Sequence, residues 1–377
     1  MSIALGLLLA VTVPLLFLGI IHKSDFYQTG QFHIILRCLF LGGITFALAT
    51  FIYSALENLW QINTNTIDHF AAPIYEEILK GLMLLYLFRR AKFTYSVDGA
   101  LYGFAIGTGF AIFENFSYIC GDLSDAVIVA TQRIFSANLV HAISSASIGI
   151  TLGISRSRNS RLQWQIPAIG LLLAIGQHML YNNMLHIINT PNIKIPLGVI
   201  FIPGVPGIFF ILYIMKRGKK DARKWIKEKL GMDSRVTRSE VALVDSLTEP
   251  KDALYPVAER FGAEKTLLAE KMLYLQANIG IKRKALDSCR DEDTTRKSIE
   301  AEINKLHADM KNIQREIGTY AMLFVRGLFT EEMISVWDQI QVKIQERSAA
   351  NNGQKGGGVW SSLDERVKSP TEDERAE

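Results

Sequence analysis

The sequence predicts an all-α fold: a polytopic helical membrane domain with seven transmembrane helices, followed by a cytoplasmic helical domain. Of the 377 residues, 49% are hydrophobic and only 21% are charged, and nearly all of the apolar excess lies before residue 216. Seven apolar stretches are long enough to cross a bilayer, and the loops between them alternate in charge. The net charge of +4 comes mostly from residues beside apolar segments, so it does not indicate nucleic-acid binding.

The expected spans follow from the length of these apolar stretches. A hydrocarbon core of about 30 Å takes roughly 20 helical residues to cross. The first stretch lacks the basic start and the cleavage site of a secretory signal, so we interpret it as a membrane helix. The seven expected spans are residues 3–21, 36–56, 70–88, 97–119, 126–154, 164–188 and 197–215.

The charge of the loops predicts the orientation of the chain. Arg and Lys residues follow the third, fifth and seventh spans, whereas Asp122 and Asp125 follow the fourth. Because cytoplasmic loops collect basic residues, we expect a multi-pass protein of the plasma membrane with its N-terminus outside. The expected units are a membrane domain (1–216), a cytoplasmic helical domain (217–348) and a disordered tail (349–377).

The cytoplasmic domain shows two apolar seams at helical spacing and no catalytic constellation. Such seams predict either an antiparallel helical hairpin, which we favour, or self-association through a coiled coil. The domain therefore resembles a regulatory or interaction module. The seam residues are Leu268, Met272, Leu275 and Ile279, then Ile299, Ile303, Leu306, Met310, Ile313 and Ile317.

Ionisable and polar residues inside the predicted spans are the most informative feature of the sequence. A charged group near the centre of a membrane helix costs about 2.5 to 3.5 kcal/mol on insertion scales, so each one suggests a function. Four spans carry them. They are Glu76, Glu77 and Lys80 in the third span, Glu114 and Asn115 in the fourth, Arg133, Asn138, His141, Ser144 and Ser145 in the fifth, and Gln177, His178, Asn182 and Asn183 in the sixth.

Spacing and depth predict that these groups meet. Residues four apart share a helix face, as do Glu76 with Lys80, and His178 with Asn182. At about 1.5 Å per residue, Glu76 and Glu114 lie at the same level, some 8 to 9 Å below the outer surface. The two histidines fall in the same layer.

A structural role is the alternative interpretation for single members of this group. Intramembrane Asn138, Ser144 and Gln177 are typical of contacts between helices. Lys80 can simply neutralise Glu76, and Arg133 can pair with a carboxylate near the outer surface. Three glutamates and two histidines at one depth are different, since apolar residues would serve packing better. For the cluster as a whole we favour a functional interpretation.

Four motifs in order on successive helices carry a resemblance to a known family. They are Glu76-Glu77-x-x-Lys80, Phe110-x-x-x-Glu114-Asn115, His141-x-x-x-Ser145 and His178-x-x-x-Asn182. Over about residues 65 to 215 this pattern resembles the PrsW family of intramembrane proteases, which is related to the CAAX-prenyl-endopeptidase-like superfamily. The lysine of the first motif lies one position earlier than the arginine of that superfamily, and Glu114 stands in place of a histidine. Both departures favour the PrsW branch and disfavour a CAAX substrate.

The resemblance implies an intramembrane endopeptidase that hydrolyses a peptide bond of a membrane protein. Such a reaction needs an activated water and donors that stabilise the oxyanion. We assign water activation to Glu76 or Glu77, and prefer Glu76 because it can share a face with Lys80. In bacteria, the resemblance makes a single-span regulatory protein such as an anti-sigma factor the expected substrate.

The remaining site residues receive supporting roles. His141 polarises the water or protonates the leaving amine, His178 with Asn182 holds the oxyanion, and Glu114 orients a histidine. The resemblance to the wider superfamily favours a glutamate mechanism without a metal cofactor. A zinc site formed by Glu114, His141 and His178 is the alternative, although no H-E-x-x-H pair supports it.

Two other classes of function compete with the protease. Intramembrane Glu, His and Lys also form ion or proton pathways in transporters, but the two halves of the membrane domain show no repeat. A catalytically silent scaffold that acts through its cytoplasmic domain is the third interpretation.

Overall fold

The computed structural model confirms the all-α fold. It describes residues 2–156, 162–188, 204–230, 250–287 and 294–327, together with the single positions 236, 241 and 244. The predicted tail at 349–377 lies outside these residues. The main helices are α1 (Ser2–Lys23), α2 (Phe32–Asn58), α3 (Ala72–Phe88), α4 (Ser96–Gly121), α5 (Ala126–Phe135), α6 (Ala137–Ser155), α7 (Leu162–Ile188), α8 (Gly204–Leu230), α9 (Pro250–Asp287), α10 (Thr294–Ile317) and α11 (Thr319–Gly327).

Four stretches of the described residues are long and apolar enough to cross a membrane: Ile3–Lys23, Phe32–Asn58, Ser96–Gly121 and Ala126–Ser155. They correspond to the first, second, fourth and fifth predicted spans. The other three spans stay predictions. The third coincides with α3, which is only 17 residues long and carries two glutamates and a lysine. The sixth lies within α7, and the seventh includes residues 197–203, which lie outside the described part of the chain.

The fifth span differs from the expected single helix because it breaks at Ser136. The backbone of Ser136 leaves the helical region, with φ −122° and ψ −88°, and thereby divides the span into α5 and α6. The Ser136 hydroxyl donates a hydrogen bond to the Gln132 carbonyl at 2.6 Å and accepts one from the Tyr181 hydroxyl at 2.9 Å. These bonds satisfy polar groups that the break exposes.

Helices α4 and α6 form the centre of the membrane domain, and glycine makes their contact possible. Gly103 and Gly107 lie one turn apart on α4. A methyl group on Gly103 would collide with the Ser145 carbonyl oxygen, and one on Gly107 with the His141 carbonyl oxygen. The two backbones therefore touch directly, as small residues allow in membrane helices.

The C-terminal helices form the predicted intrachain hairpin. Helix α9 bends at Gly262, whose φ of 79° favours glycine, and then packs along α10. The Lys265 ammonium donates to the Glu316 carbonyl, so the start of α9 lies beside the end of α10 and the two helices are antiparallel. The α10 seam from Ile299 to Ile317 is buried within the one chain. Self-association stays a prediction.

The hairpin rests on two loops of the membrane domain. The Asn278 side-chain amide donates to the Tyr27 carbonyl at 2.9 Å, and the Lys282 ammonium donates to the Ala91 carbonyl at 2.9 Å. Lys282 is buried, and this burial lowers its pKa. The loops after α1 and α3 therefore lie on the same side as the C-terminal helices. This agrees with the loop charges, which predict that all three are cytoplasmic.

Candidate active site

The helix that carries the paired glutamates begins with an irregular turn. Residues Ile67–Ala71 form a π-helical turn directly before α3, and Pro73 occupies the first turn of the α-helix, where its missing N–H costs nothing. The Asn182 side-chain amide donates to the carbonyl of Asp68 at 2.8 Å. Single π-helical turns are frequent at functional sites, and here one sets the position of Glu76 and Glu77 relative to α7.

Glu77, Lys80 and His178 form the most buried part of the site. The Lys80 ammonium donates to Glu77 Oε1 at 2.8 Å, and His178 Nδ1 lies 3.0 Å from the same oxygen. The side chains of Glu77 and Lys80 have no exposed surface. Lys80 Nζ is also 3.8 Å from Glu76 Oε2 and 4.0 Å from the centre of the Phe110 ring. Lys80 therefore forms ion pairs with both glutamates and lies closer to Glu77. The spacing of the motif had predicted Glu76 as its partner.

His141 links this group to Glu114. Lys80 Nζ lies 2.9 Å from His141 Nδ1, and His141 Nε2 lies 2.9 Å from Glu114 Oε2. A lysine ammonium has no acceptor, so Nδ1 accepts and Nε2 carries the proton that it donates to Glu114. The same reasoning makes His178 Nδ1 the donor to Glu77, which leaves His178 Nε2 as an acceptor that faces Glu76 Oε2 at 4.0 Å.

Arg133 completes the polar layer from α5. Its Nη2 donates to Glu114 Oε2 at 2.6 Å, and its Nε donates to Asn115 Oδ1 at 2.8 Å. Together with the preceding contacts, these bonds form a continuous hydrogen-bonded chain across helices α3 to α7. The layer contains three glutamates and two basic side chains, Lys80 and Arg133. The basic side chains compensate most of the negative charge of the buried carboxylates.

The site faces a cavity of about 840 Å³. Glu76, Glu114, His141 and His178 line it, whereas Glu77 does not. Glu76 Oε2 is buried and, within the described part of the chain, has no hydrogen-bond partner. A buried acceptor without a protein partner is typical of a position that binds water or a ligand. The other lining residues include Phe46, Thr50, Tyr53, Asp68, Tyr75, Ser117, Tyr118, Val129, Gln132, Arg133, Ser136, Tyr181 and Asn182.

The cavity lies toward one end of the membrane domain. Tyr53 is near the end of α2, Tyr118 near the end of α4, and Val129 near the start of α5. The ends of α2 and α4 are opposite to the ends that follow the loops beneath the C-terminal hairpin, and α5 begins just after the end of α4. With the predicted orientation, the cavity therefore opens toward the outer face.

The structure thus brings Glu76, Glu77, Glu114, His141 and His178 together. Of the remaining predicted residues, Asn182 lines the cavity and Ser145 does not. The amide of Asn182 is used by the Asp68 carbonyl, and the hydroxyl of Ser145 is buried without a hydrogen-bond partner in the described residues. Arg133 donates hydrogen bonds to Glu114 and to Asn115, so Asn115 acts on Glu114 only through Arg133.

Sequence reasoning missed the tyrosines of the cavity wall. Tyr118 and Tyr181 lie one helical turn beyond Glu114 and His178, so helical spacing alone was enough to place them on the same faces. Tyr75 precedes Glu76 directly and belongs to the wall as well. Tyrosine is common in membrane proteins near the interface, which is why its presence carried no functional signal.

The donor set also fits a metal ion. Glu76, His141 and His178 each offer one ligand atom, and these atoms lie within 4.8 Å of one another. Two imidazoles with one carboxylate are a known ligand set of catalytic zinc, and the unpaired Oε2 of Glu76 is free to bind. This set contains Glu76 where the sequence suggested Glu114, because Glu114 is held by Arg133 and His141.

A carboxylate–imidazole layer beside a cavity, inside a domain of apolar helices, is the arrangement that a membrane-embedded hydrolase needs. Comparison with known proteins agrees with this class. Residues 30–213 match the model of a family described as PrsW family intramembrane metalloprotease. The chain is also 27% identical over 152 residues to Protease PrsW of Bacillus subtilis (strain 168). The aligned region covers 39% of this chain and 68% of that protein. The resemblance to the PrsW family is thereby confirmed for the membrane part of the chain. No solved structure matches the chain.

Proposed function

We propose that the protein is an intramembrane endopeptidase in which Glu76 activates the water that cleaves a membrane-protein substrate. The observation that carries this proposal is the unpaired Oε2 of Glu76, which is buried at the wall of the cavity and faces the acceptor nitrogen of His178. Glu77 is a poorer base because Lys80 and His178 already occupy one of its oxygens and it does not line the cavity.

The reaction then follows from the positions of these groups. Glu76 takes a proton from a water in the cavity while the water oxygen attacks the peptide carbonyl carbon. The proton is returned to the leaving amine nitrogen as the C–N bond breaks. Glu77 and Lys80 hold His178 and His141 in fixed tautomers, which keeps the site preorganised.

We propose the glutamate mechanism without a metal as the first form of this reaction, because the Lys80 ammonium already lies among the three metal-ligand candidates. In the second form, Glu76, His141 and His178 hold zinc, which would polarise the carbonyl and acidify a bound water. Treating the purified protein with 1,10-phenanthroline separates the two forms. Unchanged cleavage supports the first, and a loss that zinc restores supports the second. Zinc bound by the wild type and lost in His178→Ala is a readout that does not depend on cleavage.

The position of the cavity suggests the kind of substrate. A cavity near the outer face suits a single-span protein cut close to its outer end, and a membrane-bound regulator such as an anti-sigma factor is the example that the family resemblance favours. In this proposal the protein is a multi-pass protein of the plasma membrane, with the C-terminal helices in the cytoplasm. A product cut at the cytoplasmic end of its span contradicts this assignment.

The deciding experiment is reconstitution of the full chain in lipid vesicles with a panel of single-span substrates. We expect Glu76→Gln to lower the cleavage rate by about 10²- to 10⁴-fold, the usual contribution of general-base catalysis. Glu57→Gln is a matched control, since Glu57 is an exposed glutamate of α2 whose side chain accepts a hydrogen bond from Thr64 and does not line the cavity.

Cleavage must not depend on an ion gradient across the vesicle, which distinguishes a protease from a transporter. Equal cleavage by wild type and Glu76→Gln contradicts the proposal. Normal partner binding with no cleavage by wild type points to the scaffold.

A further inference from the structure

Arg133 has a donor that none of the described residues uses. The side chain is only 13% exposed and lines the cavity. Its Nη2 and Nε are bound by Glu114 and Asn115, and its guanidinium lies 3.7 Å from the centre of the Tyr118 ring. A guanidinium carries five N–H donors. Nη1 makes no hydrogen bond to any described residue, so the cavity wall holds a fixed cation with spare donors.

The guanidinium of Arg133 lies close to His141. Arg133 Nη2 and His141 Nε2 contact the same oxygen, Oε2 of Glu114, at 2.6 and 2.9 Å. The two nitrogens are therefore separated by no more than about 5.5 Å, the sum of these distances. His141, His178 and Glu76 line the same cavity as Arg133, so a peptide bound in this cavity is exposed both to Glu76 and to the guanidinium.

Most of the donors expected to hold the oxyanion are already used elsewhere. Asn182 gives one of its two amide N–H groups to the Asp68 carbonyl, and His178 gives its N–H to Glu77. His141 gives its N–H to Glu114. A protease still needs donors aimed at the oxygen that becomes negative.

We propose that Arg133 is a catalytic residue, whose Nη1 donates to the substrate carbonyl oxygen as that oxygen gains negative charge. This inference rests on the proposed protease function. When water adds to the carbonyl carbon, the electron pair of the C=O bond moves to the oxygen and the guanidinium stabilises it without giving up a proton. Glu114 and Asn115 fix the guanidinium plane. A planar cation held at two points is preorganised for this contact in a way that lysine is not.

The test compares Arg133→Ala with wild type in the vesicle assay. Removing one oxyanion donor costs about 10² to 10³ in kcat, so we expect a fall of that size with KM changed by less than about twofold. Guanidinium chloride at tens of millimolar should then restore part of the lost kcat, because the deleted side chain leaves space in the cavity wall. Methylammonium chloride should restore much less, since it lacks the planar fork of donors.

Arg156→Ala is the matched control. Arg156 is another buried arginine of the membrane domain, but it lies over the Phe88 ring at the opposite end of α6 and does not line the cavity. Guanidinium should have no effect on its kcat. Arg133→Lys covers the case in which the alanine variant does not fold. It keeps a cation beside Glu114 but loses the fork, so we expect kcat to fall at least tenfold.

Some results overturn the inference and leave the proposed function standing. A purely structural role for Arg133 lowers kcat and the melting temperature together, with no rescue by guanidinium. Full kcat in Arg133→Lys likewise excludes the fork as an oxyanion donor. In either case the proposed function is judged separately, by wild-type cleavage and its loss in Glu76→Gln.

Discussion

The contact between α4 and α6 differs sharply along its length. Near the C-terminal hairpin, Gly99 and Gly103 bring the backbones of the two helices together, with Gly149 and Ser145 opposite them. Beyond Gly107 the contact changes to side chains, and the region beside Glu114 opens into the cavity. We call the half of the membrane domain near the C-terminal hairpin the inner half, and the half that contains the cavity the outer half. Direct backbone contact holds the inner half together, whereas charged hydrogen bonds hold the outer half together.

This difference explains how a membrane domain can hold a wet, polar site. Backbone packing through glycine needs no polar group and gives the inner half a firm base. The outer half contains buried polar atoms without described partners, among them Glu76 Oε2, Glu77 Oε2 and the amide of Asn138. Such atoms reduce stability unless water or a ligand satisfies them. Stability and chemistry are thus assigned to different ends of the same helices.

Replacing Lys80 by methionine should have the largest effect on the outer half. Lys80 contacts Glu77 and His141 and has no exposed surface, so its loss leaves a buried carboxylate without its cation. Removing one partner of a buried ion pair costs about 3 to 5 kcal/mol. We expect a marked fall in melting temperature and a loss of cleavage of at least about 100-fold.

The double variant Lys80→Met with Glu77→Gln tests the cause of that effect. Neutralising both partners removes the unpaired charge, so most of the lost stability should return while cleavage stays low. Lys92→Met is the control, because Lys92 lies in the loop at the inner end and contacts Gln31. If the double variant is as unstable as Lys80→Met, the stability loss does not come from an uncompensated Glu77.

The inner half should respond to added volume instead of lost charge. A methyl group on Gly103 collides with backbone atoms of α6 that cannot rotate away, and such overpacking typically costs about 1 to 3 kcal/mol. We expect Gly103→Ala to lower the melting temperature and to reduce cleavage by displacing His141. Gly121→Ala is matched to it, since a Cβ at Gly121 meets no atom within 4 Å. Equal melting temperatures for the two variants contradict a backbone contact at Gly103.

The main features of the site were predictable because membrane insertion penalises each of its residues separately. Glu76, Glu114, His141 and His178 stand out in apolar stretches, and counting residues from the helix ends places them in one layer. The all-α class and four of the spans were predictable in the same way, since an apolar run of that length has few other uses. The intrachain packing of α9 on α10 likewise follows from their seams.

Other features depend on backbone geometry that the sequence does not signal. The break at Ser136 has no proline or glycine to mark it. The π-helical turn before α3 arises from tertiary contacts, including the bond from Asn182 to the Asp68 carbonyl. The preference for Glu76 over Glu77 stays a prediction, and its ground was incomplete, because face-sharing at a spacing of four did not reveal that Lys80 is closer to Glu77.

Asp25, a buried carboxyl in the loop after α1 at the inner end of the domain, should make the stability of the protein depend on pH. Asp25 accepts hydrogen bonds from the Gly30 N–H at 2.6 Å and the Thr29 hydroxyl at 3.3 Å. Burial, aided by the nearby Asp98, raises the pKa of Asp25 from 3.8 to about 7. The folded state therefore binds this proton more tightly than the unfolded state does. Its contribution to the free energy of unfolding is largest at low pH, decreases as pH rises from 3.8 to 7, and is constant above that.

As pH rises from 5 to 8, ionisation of Asp25 should lower the free energy of unfolding by about 3 kcal/mol, since each unit of pKa corresponds to roughly 1.4 kcal/mol. Asp25→Asn keeps an acceptor for Gly30 without the ionisation, so its melting temperature should fall less than that of wild type over this range. Asp125→Asn, an exposed change at the opposite end of the domain, should leave the wild-type slope unchanged. The decisive measurement is the difference between the slopes of melting temperature against pH for the two variants. Identical slopes mean that Asp25 ionises normally in the folded protein, and the inner end is then less dry than the glycine contacts imply.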